Sequence, residues 1–477
     1  MPGDRTPSLL WLVLGVSFAL RVALILNGGA FYWPDEQRYM ISRQLVPILT
    51  HGELEIFLTN LGGHADHLGF KFVGVLPASL EVLFGTNPRI PAVFFSMFSV
   101  LNVWLVWRLA RRAGAGEHES LLAAVLLALS NSGFYYARHL LPYDLALTLG
   151  LTALGLALGP ASARRLWACG AVAFSSFFVY AGYWTFAGFV MMLAAIRFPL
   201  SLDGLWRRIL LVGVGFIGPA ALFVGLAALG GGDMLDTLAE YIWPGAKRRG
   251  EFGEGWRVPF AYFWHAEHGL ALVFAASVVY AAWQWRGGTS PTRVRLWLLG
   301  AAFVYAALTL CAVAEIFVVY GRLARQLLPF FCLLAAFTLE RARQVVPRAV
   351  AIAVGTALVA QAGLNARGPF AQVFPQEFVE IVHTFERDEE ARYVVLFARH
   401  IYPRSRPARL PPHEELYRER HPLQYRPYQY EGLTPAARAL LREGDFAMRL
   451  LRILPERPSG PRFPRDAQDP SGSTPSR

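Results

Sequence analysis

Long apolar stretches recur along most of this chain, and they limit what it can fold into. Short polar segments rich in arginine separate them, and a helix that crosses a bilayer needs roughly 20 predominantly apolar residues. The stretches long enough to cross, or nearly so, are Ser8–Leu26, Ile90–Leu109, Ser120–Tyr136, Leu141–Leu158, Leu166–Tyr180, Trp184–Ile196, Ile209–Leu229, Gly269–Trp285, Leu296–Tyr320, Leu323–Leu339 and Ala349–Leu364. They predict an all-α polytopic membrane protein with about eleven transmembrane helices.

Composition agrees with a membrane class and argues against several soluble ones. Of the 477 residues, 55% are hydrophobic and 17% are charged, which is unlike an ordinary soluble enzyme. The formal charge of +11 does not indicate nucleic-acid binding, because the basic residues are mostly arginines in small clusters between the apolar stretches. No Walker loop, dinucleotide-binding glycine pattern or nucleophile elbow is found, so no nucleotide cofactor is expected. The three cysteines lie in apolar stretches without a paired spacing and are expected to be core residues.

The arginine clusters orient the predicted helices. The segment Phe70–Phe84 is short and contains Pro77, and placing it at the membrane interface puts the clusters on one side, as the positive-inside rule requires. These clusters are Arg111 with Arg112, Arg164 with Arg165, Arg207 with Arg208, Arg293 with Arg295, and Arg341 with Arg343. The loops 27–89 and 230–268 and the C-terminal part then face outward, away from the cytoplasm.

Three regions follow from this pattern. Residues 1–364 form the transmembrane domain, and the first stretch is expected to be an uncleaved span, because Arg21 interrupts it and no cleavage site follows. Residues 365–455 predict a small C-terminal α/β extramembrane domain, with helices at Gln376–Glu389 and Thr434–Leu454 and a strand at Tyr393–Phe397. Residues 456–477 are rich in Pro, Ser, Arg and Gly and are expected to be disordered.

The first candidate site is the acidic pair Asp35 and Glu36, which follows directly after the first predicted span. A carboxylate at a membrane boundary can act as a general base toward a hydroxyl or amine, or can ligate a divalent ion that screens a phosphate. Asp35 is equally suited to cap a helix that begins near Gln37. Arg38 and Tyr39 lie one turn away and suit a phosphate.

Further candidates lie at the other outward-facing turns. Asp144 follows Arg138 and His139, and an arginine that binds phosphate near an acid that positions an acceptor suits transfer from a phosphate leaving group. The same residues also suit interfacial anchoring. Arg322 and Arg325 lie at the start of the tenth span, where an ion pair between Glu315 and Arg322 is a structural alternative.

The first outer loop contains a compact group of possible metal ligands. His64, Asp66 and His67 lie together with Lys71 close behind, but their spacing matches no standard zinc signature. Asp66 and His67 are therefore candidate metal ligands, and an ordinary polar loop is the alternative.

Several of these segments together resemble a known family. Arg21 and the run Asp35-Glu36-Gln37-Arg38-Tyr39, followed by Ile41-Ser42-Arg43, are similar to the first-loop signature of the GT-C membrane glycosyltransferases. The nearest branch contains the lipid A aminoarabinose transferase and the protein O-mannosyltransferases. The likeness continues through Phe84-Gly85, Arg89, Arg108–Arg112, Tyr136–Asp144 and Arg322–Pro329.

This resemblance implies an integral-membrane enzyme of the bacterial inner membrane. It implies transfer of a sugar, with inversion, from a polyprenyl-phosphate donor to a lipid, glycan or protein acceptor of the cell envelope, at a periplasm-facing active site. Asp35 resembles the general base, with Glu36 beside it, and Asp144 resembles a second essential acid. The residues that would bind the donor phosphate are Arg38, Tyr39, Lys71, Arg138, Arg322 and Arg325. A divalent metal ion (Mg, Mn or Zn) is common in the family.

One departure from the family pattern keeps other functions open. The Lys-Pro-Pro type motif expected late in the first loop is absent, and Lys71 is the available substitute for its lysine. A lipid-linked sugar flippase and a non-catalytic binding protein of the same fold are the two alternatives. The polar residues gather mostly at one face instead of deep within several spans, which favours the enzyme over the flippase.

Overall fold

The computed structural model of this protein describes most of the predicted transmembrane region. The described residues are 8–27, 38–54, 68–84, 89–138, 140–160, 162–197, 201, 203–229, 256–314, 319 and 321–370. The predicted C-terminal domain (365–455), apart from its first residues, the tail 456–477 and the candidate acidic pair Asp35 and Glu36 therefore lie outside the described residues.

The described part of the chain is a bundle of α-helices joined by short turns. In chain order the helices are α1 (Ser8–Asn27), α2 (Arg38–Thr50), α3 (Leu68–Phe84), α4 (Arg89–Arg112), α5 (Glu117–Leu129), α6 (Asn131–Tyr135), α7 (Tyr143–Ala157), α8 (Ala163–Val179), α9 (Trp184–Ile196), α10 (Leu205–Leu229), α11 (Val258–Glu267), α12 (Gly269–Arg286), α13 (Thr292–Val313), α14 (Gly321–Ala324), α15 (Leu328–Val345) and α16 (Arg348–Phe370). Among the described residues, three 3₁₀ turns lie between helices, at Tyr136–Arg138, Ala181–Tyr183 and Arg325–Leu327.

Five of the described helices are long and apolar enough to cross a membrane. They cover Ser8–Leu26, Arg89–Arg112, Leu205–Leu226, Thr292–Val313 and Arg322–Val345. Shorter apolar helices lie at Tyr143–Ala157, Ala181–Ile196 and Ile352–Leu364. The structure thus confirms a helical, multi-span bundle, whereas the total of about eleven crossings stays a prediction.

The five long spans differ in how deeply they are buried. Of the most apolar window in Arg322–Val345, 78% is buried, compared with 11% for Leu205–Leu226. The tenth predicted span is therefore a central element, and α10 lies at the periphery. The 3₁₀ turn that contains Arg325 leads directly into this central span, so the turn is fixed by the core of the bundle.

A polar break divides one stretch that looks continuous in the sequence. The predicted span Ser120–Tyr136 is interrupted at Ser130, where the backbone becomes extended (φ −65°, ψ 131°). The Ser130 hydroxyl accepts a hydrogen bond from the Gly133 N–H and so caps the short helix α6. A serine that satisfies free backbone groups offers the chain an alternative to a continuous helix. The break redirects the chain toward Tyr136 and Asp144.

Glycines allow two helices to cross very closely. A Cβ atom on Gly170 of α8 would overlap the carbonyl oxygen of Val212, and one on Gly215 of α10 would overlap the carbonyl oxygen of Trp167. Each helix thus presents a glycine to the backbone of the other. Close backbone approach through small residues is a usual means of joining membrane helices. It attaches the peripheral helix α10 to the bundle.

Candidate functional site

A buried ion pair joins two of the residues singled out in the sequence. The Nη2 atom of Arg325 lies 2.6 Å from Oδ1 of Asp144, and both side chains are buried. The two residues are 181 positions apart in the chain. The pair therefore connects the start of α7 to the turn before α15, and it brings a carboxylate and a guanidinium together at one end of the bundle.

Neighbouring polar side chains hold the backbone of Asp144 in place. The Asn102 side chain of α4 donates a hydrogen bond of 3.1 Å to the Asp144 carbonyl oxygen. The Thr148 hydroxyl donates to the Oδ1 atom of Asn102 at 2.8 Å. All three residues are buried, where hydrogen bonds are needed to offset desolvation. Asp144 is therefore set on a rigid, fully packed part of the bundle.

The neighbouring residue Gln326 fixes the turn that carries Arg325. Its buried amide nitrogen donates to the carbonyl oxygens of Gly182 and Leu323, at 3.0 and 3.2 Å. Its oxygen accepts hydrogen bonds from the Thr185 hydroxyl at 2.7 Å and the Phe186 N–H at 3.1 Å. This single side chain joins the Arg325–Leu327 turn to the Ala181–Tyr183 turn and to the start of α9.

Tyrosine rings surround the arginines of this site. The guanidinium of Arg325 lies 4.4 Å from the centre of the Tyr136 ring, and that of Arg322 lies 5.9 Å from the centre of the Tyr143 ring. The two rings pack edge to face with centres 5.3 Å apart. An aromatic face attracts a guanidinium and leaves its N–H edge available. The rings therefore hold two cations side by side.

Arg325 retains donors that its neighbours do not use. Its Nε and Nη1 atoms are buried and have no hydrogen-bond partner among the described residues. The buried hydroxyl of Tyr183, within electrostatic range of Arg325 and Asp144, is likewise unpartnered in the described part of the chain. A buried donor without a partner costs about 1–3 kcal/mol, and more when it is charged. Such a group needs an explanation, and an anionic ligand that accepts these donors is one.

A third arginine, Arg21, lies at the same end of the bundle. Its side chain is 1% exposed, although it lies in the apolar first span. It donates to the Ser99 hydroxyl at 2.9 Å, to the Ser17 hydroxyl at 2.5 Å and to the Gly133 carbonyl at 3.3 Å. It is also within electrostatic range of Asp144 and Arg325. A charge inside a span is costly unless it has such partners.

The structure describes the remaining predicted site residues to different extents. Tyr39 is buried and its hydroxyl donates to the Glu81 carboxylate at 2.6 Å. Lys71 is buried in α3, and its carbonyl oxygen accepts a hydrogen bond from the Ser42 hydroxyl. Of Arg38 and Arg138 the structure describes the backbone but not the side chain. The phosphate-binding roles of these residues stay predictions.

The candidate metal ligands Asp66 and His67 lie outside the described residues. Within the described ranges, no group of three or more His, Cys, Asp or Glu side chains is placed to hold a metal ion. The carboxylate of Asp144 is paired with a guanidinium, which suits an anion site better than a cation site. The described residues therefore do not fit a divalent metal.

The sequence indicates Asp144, Arg322 and Arg325 as candidate site residues, and their roles stay predictions; it does not indicate which residues contact them. Arg21 carried a usable signal, because a lone charge in an apolar span is a functional candidate by default. Asn102, Gln326 and Tyr183 carried none, since polar and aromatic residues are common at helix ends. Their importance depends on contacts between residues that are distant in the sequence.

The architecture matches a known membrane-protein fold. The bundle has the fold of the GT-C membrane glycosyltransferases, as the sequence resemblance predicts. One structure with this fold is that of ArnT from Cupriavidus metallidurans in the apo state, with a TM-score of 0.53 and 17% sequence identity. The alignment covers 92% of this chain and 76% of ArnT.

More distant similarity is found to an oligosaccharyltransferase of Archaeoglobus fulgidus. Its apo crystal structure aligns with a TM-score of 0.45 and 14% identity over 78% of this chain and 55% of that protein. The structure of AglB from the same organism, in complex with an inhibitory peptide and a dolichol-phosphate, gives 0.44 and 13% over 79% and 56%. No protein-family model and no curated protein matches the sequence.

Proposed function

We propose that this protein is an integral-membrane glycosyltransferase of the bacterial inner membrane. It moves a sugar, with inversion, from a polyprenyl-phosphate donor to an extracytoplasmic lipid, glycan or protein acceptor. The observation that supports this most is the buried Arg325, whose Nε and Nη1 donors have no partner among the described residues of a chain with a GT-C fold. A departing lipid phosphate would supply the missing acceptor oxygens.

The proposed role of the arginines is to stabilise the leaving group. As the bond from the anomeric carbon to the phosphate oxygen breaks, negative charge grows on that oxygen. Fixed cations in a dry site stabilise such charge without reorganising, and this stabilisation usually contributes more to catalysis than any other single effect. Arg325 and the nearby Arg322 are held by tyrosine rings in a suitable arrangement. Arg38, Tyr39, Lys71 and Arg138 are proposed to complete the phosphate site.

Two acids divide the remaining work in this proposal. The acceptor oxygen forms a bond to the anomeric carbon on the face opposite the phosphate, and its proton passes to Asp35, with Glu36 beside it. The phosphate keeps the electrons of the broken bond. Asp144 is proposed to act through Arg325, by holding the guanidinium so that its free edge faces the donor. A metal at Asp66 and His67 stays a prediction from the sequence.

Sugar transfer in proteoliposomes tests this proposal. Purified protein is reconstituted with radiolabelled polyprenyl-phosphate sugars and an envelope acceptor extract, and labelled product is counted. Asp35→Asn is expected to lower the rate about 10²- to 10⁴-fold through loss of the base. Asp144→Asn is expected to lower the rate about 10²- to 10³-fold, because Arg325 would no longer be held in position to donate to the phosphate.

A second, partly buried ion pair supplies the matched control. Glu119 of α5 and Arg293 of α13 pair at 2.8 Å, and Glu119→Gln removes a carboxylate of similar burial away from the site. We expect this variant to lose stability but to keep its rate per folded molecule. Full activity of folded Asp35→Asn would remove Asp35 from the mechanism. Movement of the labelled lipid across the bilayer without any transfer would favour the flippase alternative.

A further inference from the structure

A buried acid that the proposed mechanism does not use lies at the end of α11. Glu267 is 0% exposed. Its Oε1 atom accepts a hydrogen bond of 2.7 Å from the Ser132 N–H, and its Oε2 atom accepts one of 2.9 Å from the Asn131 N–H. In return, the Asn131 side chain donates to the Ala266 carbonyl oxygen at 3.2 Å. Glu267 thus ties the end of α11 to the first turn of α6.

The helix α6 that Glu267 holds has only five residues and needs outside support. Its Gly133 carbonyl oxygen accepts hydrogen bonds from the Ser99 hydroxyl at 2.8 Å and from Arg21 at 3.3 Å. Polar contacts therefore hold α6 on two sides. The chain then continues directly into Tyr136, the ring that lies against Arg325. A shift of α6 would be transmitted to that ring.

The geometry requires a carboxylate and not a neutral amide. Both carboxylate oxygens of Glu267 accept from backbone N–H groups. A glutamine would place its own NH₂ group against one of these N–H groups, donor against donor. Burial raises the pKa of Glu267, while the hydrogen bonds from Ser132 and Asn131 and the nearby charge of Arg325 lower it. Burial outweighs these contacts, so the pKa of Glu267 lies above its usual value, and the contacts limit that rise.

We propose that Glu267 is a positioning residue of the transferase site: by holding α6 it fixes Tyr136 and, through that ring, the free edge of the Arg325 guanidinium. This inference rests on the proposed function. It predicts that weakening the contact between Glu267 and α6 slows transfer even though no residue of the contact touches the donor.

The variants Asn131→Ala and Asn131→Pro isolate this contact. Alanine removes only the hydrogen bond from the Asn131 side chain to the Ala266 carbonyl oxygen. Proline also removes the backbone N–H that donates to Glu267. Proline is tolerated at the first position of a helix, and the extended backbone of Ser130 before it suits a following proline. Glu267→Gln is the complementary change on the acceptor side. Glu119→Gln serves again as the control for a lost buried carboxylate.

Two measurements are made on each folded variant. Hydrogen–deuterium exchange over residues 130–138 reports on α6 itself, and steady-state kinetics report on the site. We expect Glu267→Gln and Asn131→Pro to exchange faster in this segment than Asn131→Ala and Glu119→Gln. We expect kcat to fall about 100-fold, as for a small misplacement of a catalytic group, with a smaller change in KM.

The outcomes separate this inference from the proposed function. If the wild-type protein transfers sugar and both Glu267→Gln and Asn131→Pro keep its kcat, the positioning role is wrong and the transferase stands. If the wild-type protein transfers nothing, the proposed function fails and a role in transfer fails with it, while exchange still decides whether Glu267 holds α6. Unchanged exchange in Glu267→Gln overturns the inference in either case.

Discussion

At the residue scale, the unpartnered hydroxyl of Tyr183 has two explanations: it belongs to a ligand site, or it is a packing defect. The side chain is fully buried, and its hydroxyl has no hydrogen-bond partner among the described residues. If nothing ever binds there, removing the hydroxyl relieves an unsatisfied polar group and should stabilise the protein slightly. If the hydroxyl donates to the donor phosphate, its removal should slow transfer. The two explanations therefore differ in whether transfer slows when the hydroxyl is removed.

We expect Tyr183→Phe to lower sugar transfer about 10-fold or more, the value of one hydrogen bond to a charged group, without lowering the melting temperature. The change removes a single oxygen and leaves the ring in place. Tyr280→Phe is the matched control, because its hydroxyl accepts from Gln284 on the same helix, away from the site. Wild-type activity with a raised melting temperature in Tyr183→Phe would show that the hydroxyl is only a buried defect.

The charged residues of the site could be predicted from the sequence as candidates, but their pairing could not. Asp144, Arg322 and Arg325 stand out in the sequence because charges at the ends of apolar stretches are costly and need a reason. That Asp144 pairs with Arg325 was not predicted, because the two are 181 positions apart and no local pattern relates them. The pairing depends on how Gln326 and Asn102 join separate helices. Asp35 and Glu36 stay predictions from the sequence.

At the element scale, the crossing of α8 and α10 depends on two glycines. We expect Gly215→Ala to destabilise the protein by about 1–3 kcal/mol, because the new methyl would overlap the Trp167 carbonyl and force the helices apart. Gly213 lies on the same helix, and a Cβ atom added there would meet no other atom within 4 Å. Gly213→Ala should therefore be neutral or stabilising, since alanine favours a helix over glycine by about 1 kcal/mol.

Thermal unfolding in detergent measures both glycine variants under the same conditions. The expected order of melting temperatures is Gly213→Ala at or above wild type, with Gly215→Ala clearly below it. Equal melting temperatures for the two variants would mean that α8 and α10 do not approach as closely as described.

The elements themselves were only partly predictable. Apolar stretches gave the positions of most helices, because the bilayer requires every backbone group in it to be paired internally. The break at Ser130 was not predicted, since a single serine within an apolar stretch also occurs in continuous membrane helices. The break is stabilised by the hydrogen bond from the Gly133 N–H to the Ser130 hydroxyl and by the contact of Glu267 with α6.

At the scale of the whole molecule, a buried and a partly buried ion pair lie in different places in the bundle. Glu119 lies in the first turn of α5, about 16 Å along the helix axis from Ser130, beyond which the chain reaches Asp144. The Glu119–Arg293 pair therefore lies at the end of the bundle that carries the predicted cytoplasmic arginine clusters. The Asp144–Arg325 pair lies toward the opposite end, where the proposed donor site faces outward.

Binding of a radiolabelled polyprenyl phosphate to the protein in nanodiscs tests the central claim most directly. The double variant Asp144→Asn/Arg325→Gln removes the whole pair and so avoids leaving one buried charge alone. We predict that its Kd rises about 10- to 100-fold, the loss of hydrogen bonds to a charged group. The matched double variant Glu119→Gln/Arg293→Gln should bind as wild type does. Wild-type affinity in folded Asp144→Asn/Arg325→Gln would contradict a phosphate site at Arg325.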